Sequence, residues 1–179
     1  LASLSGFYYT DAEETSSYQK ADLPEQTDLS LLDYADTATD CTMEKGSEGI
    51  TVSNLGADPN VVFPGVASCF ADNDKLYGLS LTVDAPDETE MAVYYQTEGD
   101  EGFSAEKVYT FKVTEDNRTW EHLVPGGITE LRVDVSSPVE SAVINNFELK
   151  SCDITESGYT ALKESGVDEV TFSDSTYQA

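Results

Sequence analysis

The chain has 179 residues, 39% of them hydrophobic, which suits one domain with a real core and a little over for flanking segments. Asp and Glu number 35 against 9 Lys and Arg, a formal charge of -26, so phosphate backbones and anionic membrane surfaces are repelled and nucleic acid is set aside as a partner. No apolar run approaches the roughly 20 residues that a membrane span needs.

The first 36 residues are polar and acidic and read as a lead-in segment, with one short helix before Pro24 and another around Leu29 to Tyr34. The start at Leu1 rather than Met, without a signal-peptide pattern, is that of a mature form or an excised piece of a longer protein.

From residue 37 to 151 the chain breaks into short stretches of alternating apolar and polar residues, punctuated by Gly, Pro, Asp and Asn. "CTMEKGSEGITVSN" reads as a hairpin around Lys45-Gly46-Ser47, and "NVVFPG" as a short buried strand ended by Pro64-Gly65. In "YGLSLTVDAPDE", Leu79, Leu81 and Val83 alternate with Ser80 and Thr82. "EMAVYYQTEGDEG" puts Met91, Val93 and Tyr95 on one face and Ala92, Tyr94 and Gln96 on the other. "KVYTFKV" turns Tyr109, Phe111 and Val113 inward; "ITELRVDV" turns Leu131, Val133 and Val135 inward and leaves Arg132 and Asp134 facing water. "AVINNFELKS" groups Val143, Phe147 and Leu149, but Asn145 falls on the same face and needs a partner there. Eight or nine such strands without helices between them predict an all-β fold, a two-sheet antiparallel β-sandwich of jelly-roll type with short, partly helical terminal extensions.

Residues 152 to 179 form a C-terminal extension: "SGYTALKESG" is a short helix stopped by Gly166, and "VDEVTFSD" a strand without an obvious partner. That strand implies a chain continuing past Ala179 into a further module.

Chemistry is sparsely signalled. Cys41, Cys69 and Cys152 show no zinc spacing, and their odd number allows at most one bridge within the chain. The single histidine, His122, sits in "RTWEHLVPGG" and reads as an exposed strand-end residue rather than a catalytic base. No P-loop, dinucleotide glycine pattern or nucleophile elbow is present, so the catalytic set is empty. Sugar binding asks for a flat aromatic face and a few polar groups, which Tyr94, Glu98, Phe103, Arg118 and Trp120 could supply. The loops "GADPN" and "FADNDK" carry Asp58, Asp72, Asn73 and Asp74, candidate ligands for a structural calcium ion, although Asx turns account for the same residues. Asn117-Arg118-Thr119 matches the N-glycosylation acceptor pattern, which arises often by chance.

The succession "ITVSNLGADPNVVFPG", "LSLTVDAPDETEMAVYYQTEGDEGFSAEKVYTFKV" and "ITELRVDVSSPVESAVINNFELKS", about residues 48 to 151, resembles the accessory β-sandwich of bacterial cell-surface glycan-assembly proteins, including glycosyltransferases. The tail "GYTALKESGVDEVTFSDSTYQA" looks like the stretch leading into the next extracellular module of YfhO-type multi-spanning membrane glycosyltransferases. The familiar pattern has an Asp-Pro after the Arg strand where this chain reads "RVDVSSP". The resemblance implies a non-catalytic ectodomain at the bacterial cell surface. Its partners would be surface glycan and adjoining membrane or extracellular domains of the same chain. The alternatives are a structural or adhesive surface domain, and an accessory module of a secreted polysaccharide-degrading enzyme.

Overall fold

The computed structural model describes the backbone of residues 7–9, 18–20, 28–136, 140–155, 157, 160–161, 164, 166, 169–172 and 175–178. Side chains are described over 29–136, 140–150 and at 155, 157, 160, 161, 164 and 166. The strands, in chain order, begin with β1 (Phe7–Tyr9), β2 (Tyr18–Lys20), β3 (Asp28–Ser30), β4 (Thr37–Thr39), β5 (Thr42–Gly46) and β6 (Gly49–Ser53). There follow β7 (Asn60–Phe63), β8 (Lys75–Asp84), β9 (Thr89–Thr97), β10 (Val108–Val113) and β11 (Thr119–Pro125). The last are β12 (Ile128–Val135), β13 (Ser141–Thr155), β14 (Glu169–Phe172) and β15 (Ser175–Gln178).

They build the two-sheet β-sandwich that the alternation predicts. One sheet has five strands in the order β10-β9-β12-β7-β4; the other has eight, β14-β15-β11-β8-β13-β6-β5 with β3 also paired to β13; β1 and β2 form a separate two-stranded sheet. Between β7 and β13 the chain crosses from sheet to sheet at nearly every connection, as a jelly roll requires. Among the described residues pairing is antiparallel except for a parallel bridge between β11 and β15 at His122 and Gln178. The expected hairpin around Lys45 to Ser47 is the β5–β6 pair.

The inward residues of both sheets interdigitate in one core. Leu79, Leu81 and Val83 of β8 meet Met91 and Val93 of β9 and Leu131, Val133 and Val135 of β12. At its centre Phe63 and Phe147 pack edge to face with centroids 5.0 Å apart. Such close packing makes each position sensitive to the loss of even one methylene.

Several local expectations are corrected. Leu29 to Tyr34 is not a helix: β3 pairs with β13, and one 3-10 turn follows at Leu32–Tyr34. The neighbouring Leu31 is fully buried and donates its N–H to Phe147 O at 2.7 Å, so burial and sheet pairing override local propensity. The helix expected before Pro24 falls outside the described residues, apart from 18–20, which are strand. Along β13 the register slips between Ile144 and Asn146, a bulge that changes the parity of the strand. The inward set is therefore Ala142, Ile144, Phe147 and Leu149, and Val143 leaves it. Asn145, the bulged residue, gains its partners sideways: Oδ1 accepts from Arg118 Nη2 at 3.0 Å and Nδ2 donates to Glu48 O at 3.1 Å. Gly49, at φ 124°, is required here because a Cβ would stand 2.0 Å from Ile144 O. At the C-terminal end, helical backbone at 157, 160, 161 and 164 precedes Gly166 in the left-handed region at φ 86°. The strand read as unpartnered is β14, which pairs with β15.

Candidate functional site

Tyr94 lies on the outer face of the five-stranded sheet because β9 alternates: Met91, Val93 and Tyr95 point inward and leave Ala92, Tyr94 and Gln96 outside. Register places Arg132 opposite Tyr94 and Asp134 opposite Ala92, on the same outer face. The Arg132 guanidinium carbon stands 4.2 Å from the Tyr94 ring centroid and 5.1 Å from that of Phe103. Asp134 holds the guanidinium flat with two hydrogen bonds, Nε to Oδ1 at 2.7 Å and Nη2 to Oδ2 at 2.9 Å. These two side chains do not simply face water: only 21% of Arg132 and 16% of Asp134 is exposed. Burial pushes the Asp134 carboxyl above the ordinary range, more than Arg132 draws it down, with Asp58 adding to the rise.

A shallow groove of about 490 Å³ runs over this face, lined by Glu90, Ala92, Tyr94, Thr110, Lys112 and Asp134 among others. It offers hydroxyl, carboxylate and ammonium groups around one aromatic ring. Lys112 is paired with Glu88 at 3.1 Å, and Glu88 with Glu90 holds its ammonium above the usual lysine range. Gln96 donates to Glu130 at 3.4 Å beside the groove.

Phe103 reaches this face through the folded β9–β10 loop. Asp100 Oδ2 accepts from Thr97 N at 2.8 Å, Thr97 Oγ1 at 3.2 Å and Lys107 Nζ at 2.6 Å. The bond from Lys107 is the main cause that holds the Asp100 carboxyl below the usual range. This carboxylate is thus a loop keystone, and Gly99 at φ 89° lets the turn form.

The other predicted binding residues sit elsewhere. Trp120 projects from β11 of the eight-stranded sheet toward the interior, where its indole stacks on Phe111 at 4.9 Å and 8°. Tyr109 lies 5.5 Å from it, and Tyr95 stacks on Tyr109 at 5.7 Å. These half-buried rings close the mouth of the sandwich between β10 and β11. His122 belongs to this cluster, 4.6 Å from Tyr109, and its Nδ1 donates to Leu123 O at 2.7 Å; it is half-buried rather than exposed. Arg118 clamps the β13 bulge, with Nε 3.4 Å from Val83 O and Nη2 3.6 Å from Asp84 Oδ1. Glu98 lines a second hollow of about 420 Å³ at the loop end, with Phe70, Asn73, Gly127, Ile128 and Thr129. The structure therefore brings Tyr94 and Phe103 together and separates them from Trp120 and Arg118. Arg132 and Asp134 are the additions that sequence reasoning missed; the signal available was a cation and a carboxylate two apart on one strand face.

Among the described residues no group of three or more His, Cys, Asp or Glu side chains is placed to hold a metal ion. Asp72 caps its own turn by accepting from Asp74 N at 3.0 Å, and Asp58 donates its N–H to Asp40 Oδ2 at 3.2 Å. Cys41 and Cys69 are free thiols; Cys152 lies outside the described side chains. Among the described residues no helix is long and apolar enough to cross a membrane.

No known protein family matches this chain, and no curated protein matches it. Solved structures do. The C-terminal CBM6 of a marine laminarinase from Zobellia galactanivorans is 14% identical over 71% of this chain and 99% of that one, with a TM-score of 0.43. The low-affinity xylan-binding module CBM86 from Roseburia intestinalis is 7% identical over 75% and 99%, at 0.47. A carbohydrate-binding module from a Cellvibrio mixtus lichenase, in complex with cellotriose, is 10% identical over 69% and 95%, at 0.41. At these identities and TM-scores the likenesses carry no argument about function, which has to come from the chain's own residues.

Proposed function

We propose that the chain is a non-catalytic glycan-binding module, of carbohydrate-binding-module type, that works outside the cell as part of a bacterial surface protein concerned with glycan assembly. The observation that carries this reading is the outer-face groove lined by Tyr94, Glu90, Thr110, Lys112 and Asp134, with Arg132 at its border, held by Asp134 and standing over the Tyr94 and Phe103 rings. A pyranose has an apolar face and a ring of hydroxyls, and this surface pairs one aromatic wall with donors and acceptors. The groove is open and shallow, so affinity in the millimolar to high micromolar range follows, roughly -4 to -6 kcal/mol. The structural or adhesive alternative has one observation in its favour: Arg132 already lies over the Tyr94 ring and occupies part of its face.

Isothermal titration with neutral gluco-, xylo-, manno- and N-acetylglucosamine oligosaccharides separates the two. Binding by the wild-type chain that Tyr94→Ala weakens about two- to tenfold, the loss of one aromatic contact of about 0.5–1.5 kcal/mol, supports the module. Silence across the panel at millimolar concentration leaves the structural reading standing.

A further inference from the structure

We infer that the outer-face groove selects uncharged glycans and rejects anionic ones, because each cation it offers is already held by a carboxylate of this chain. This inference rests on the glycan-binding reading of the same groove and adds the class of glycan.

The charges are specific. Arg132 has both its Nε and Nη2 directed to Asp134, at 2.7 and 2.9 Å. Lys112 is bound to Glu88 at 3.1 Å and stands opposite Glu90 in the β9–β10 register. Next to the groove, Lys107 is committed to Asp100 at 2.6 Å. Glu130 shares the outer face and is engaged by Gln96. Arg132 and Lys112 thus face four carboxylates, Glu88, Glu90, Glu130 and Asp134, within a chain of net charge -26.

A uronate, sulfate or phosphate group entering the groove meets Lys112 already paired with Glu88, and to pair with Arg132 at the groove's border it has to draw that side chain away from Asp134. That leaves a carboxylate that is only 16% exposed without its partner, and the freed charge is one that the low-dielectric surface penalises. Surrounding carboxylates repel the incoming anion as well, an effect that added salt weakens. A neutral sugar hydroxyl asks for none of this. It can accept from a guanidinium N–H not used by Asp134 or donate to a carboxylate oxygen, and the ion pair stays intact. The pair then acts as a rigid polar plate held against Tyr94, where a free arginine would act as an anion receptor. Discrimination of this kind comes from unfavourable encounters with the wrong ligand as much as from contacts with the right one.

The test uses the full chain, the neutral oligosaccharide panel above and the C6-carboxylated counterparts of its hexose members, in low salt and in 0.5 M salt. The expected result is that the wild type binds a neutral oligosaccharide at least tenfold more tightly than its carboxylated form, with salt narrowing the gap. Asp134→Asn, which keeps the shape but releases the Arg132 charge, should cut that ratio at least tenfold. Glu90→Gln, on an exposed position, should cut it by a smaller factor and serves as the second variant if Asp134→Asn melts below the assay temperature. Equal or tighter binding of the carboxylated form by the wild type overturns the inference and leaves the glycan-binding reading intact. So does an unchanged ratio in both variants. Absence of binding to every probe overturns the glycan-binding reading itself.

Discussion

Replacing Trp120 by Ala separates packing from ligand contact. The indole is half-buried and stacked on Phe111 at 4.9 Å, with Tyr109 at 5.5 Å on its border. A fully buried Trp→Ala change costs about 3–5 kcal/mol, and partial exposure brings this to roughly 2–3 kcal/mol. For a chain of this length each kcal/mol moves the midpoint by about 2–4 °C, so thermal unfolding followed by circular dichroism should fall by roughly 4–12 °C. Glycan affinity of the remaining folded protein, measured by titration well below the new midpoint, should stay within about twofold, less than 0.5 kcal/mol. The opposite pattern, an unchanged midpoint with binding lost, would place the ligand on the Trp120 cluster and refute the assignment of the site to the outer face.

The remaining predictions concern two other positions. Tyr94→Ala removes its contact with Arg132 and lies outside the core cluster, so its midpoint should drop by only about 1–4 °C, from roughly 0.5–1 kcal/mol, while binding falls about two- to tenfold. Glu121 has a buried Oε2 without a hydrogen-bond partner among the described residues, and burial raises its carboxyl above the usual range against a smaller pull from Lys150. Because the folded protein holds this proton more tightly than the unfolded chain, the contribution of Glu121 to stability falls as pH rises through its raised pKa. Glu121→Gln should therefore stabilise the protein at pH 7 by up to about 1 kcal/mol, with the gain gone by about pH 4, as read from urea midpoints across pH.

Much of the fold was legible because a strand's faces follow directly from period two. The inward residues of β8 and β12, and Met91 and Val93 of β9, are buried as read, and Tyr94 and the half-buried Tyr95 point to opposite faces. What periodicity does not contain is which strands become neighbours. Tyr95, Tyr109, Phe111, Trp120 and His122 come from three strands, and only the approach of β10 to β11 gathers them into one cluster. The same limit hid the site: Arg132 and Asp134 were correctly outward, but the plate they form over Tyr94 depends on the β9–β12 register. A single bulge at Asn145 reversed the parity of half a strand and turned an apparent buried polar error into a clamp with Arg118. The 3-10 turn at Leu32–Tyr34 was misread because its register is imposed by the docking of Leu31 against β13 rather than by its own sequence. Of the acidic loop after β9, the glycines announced a turn, while the keystone role of Asp100 needed Lys107 to be in place.

The placement of the glycan site on the outer face is tested most directly by a ¹H–¹⁵N correlation spectrum of the wild-type chain titrated with the neutral oligosaccharide that binds it. Shift changes should concentrate at Glu90, Ala92, Tyr94, Thr110 and Asp134 of the groove and at the bordering Arg132, with Trp120 and its indole N–H unmoved. Changes confined to the loop-end hollow of Asn73, Glu98, Gly127 and Thr129, or centred on Trp120, would contradict it.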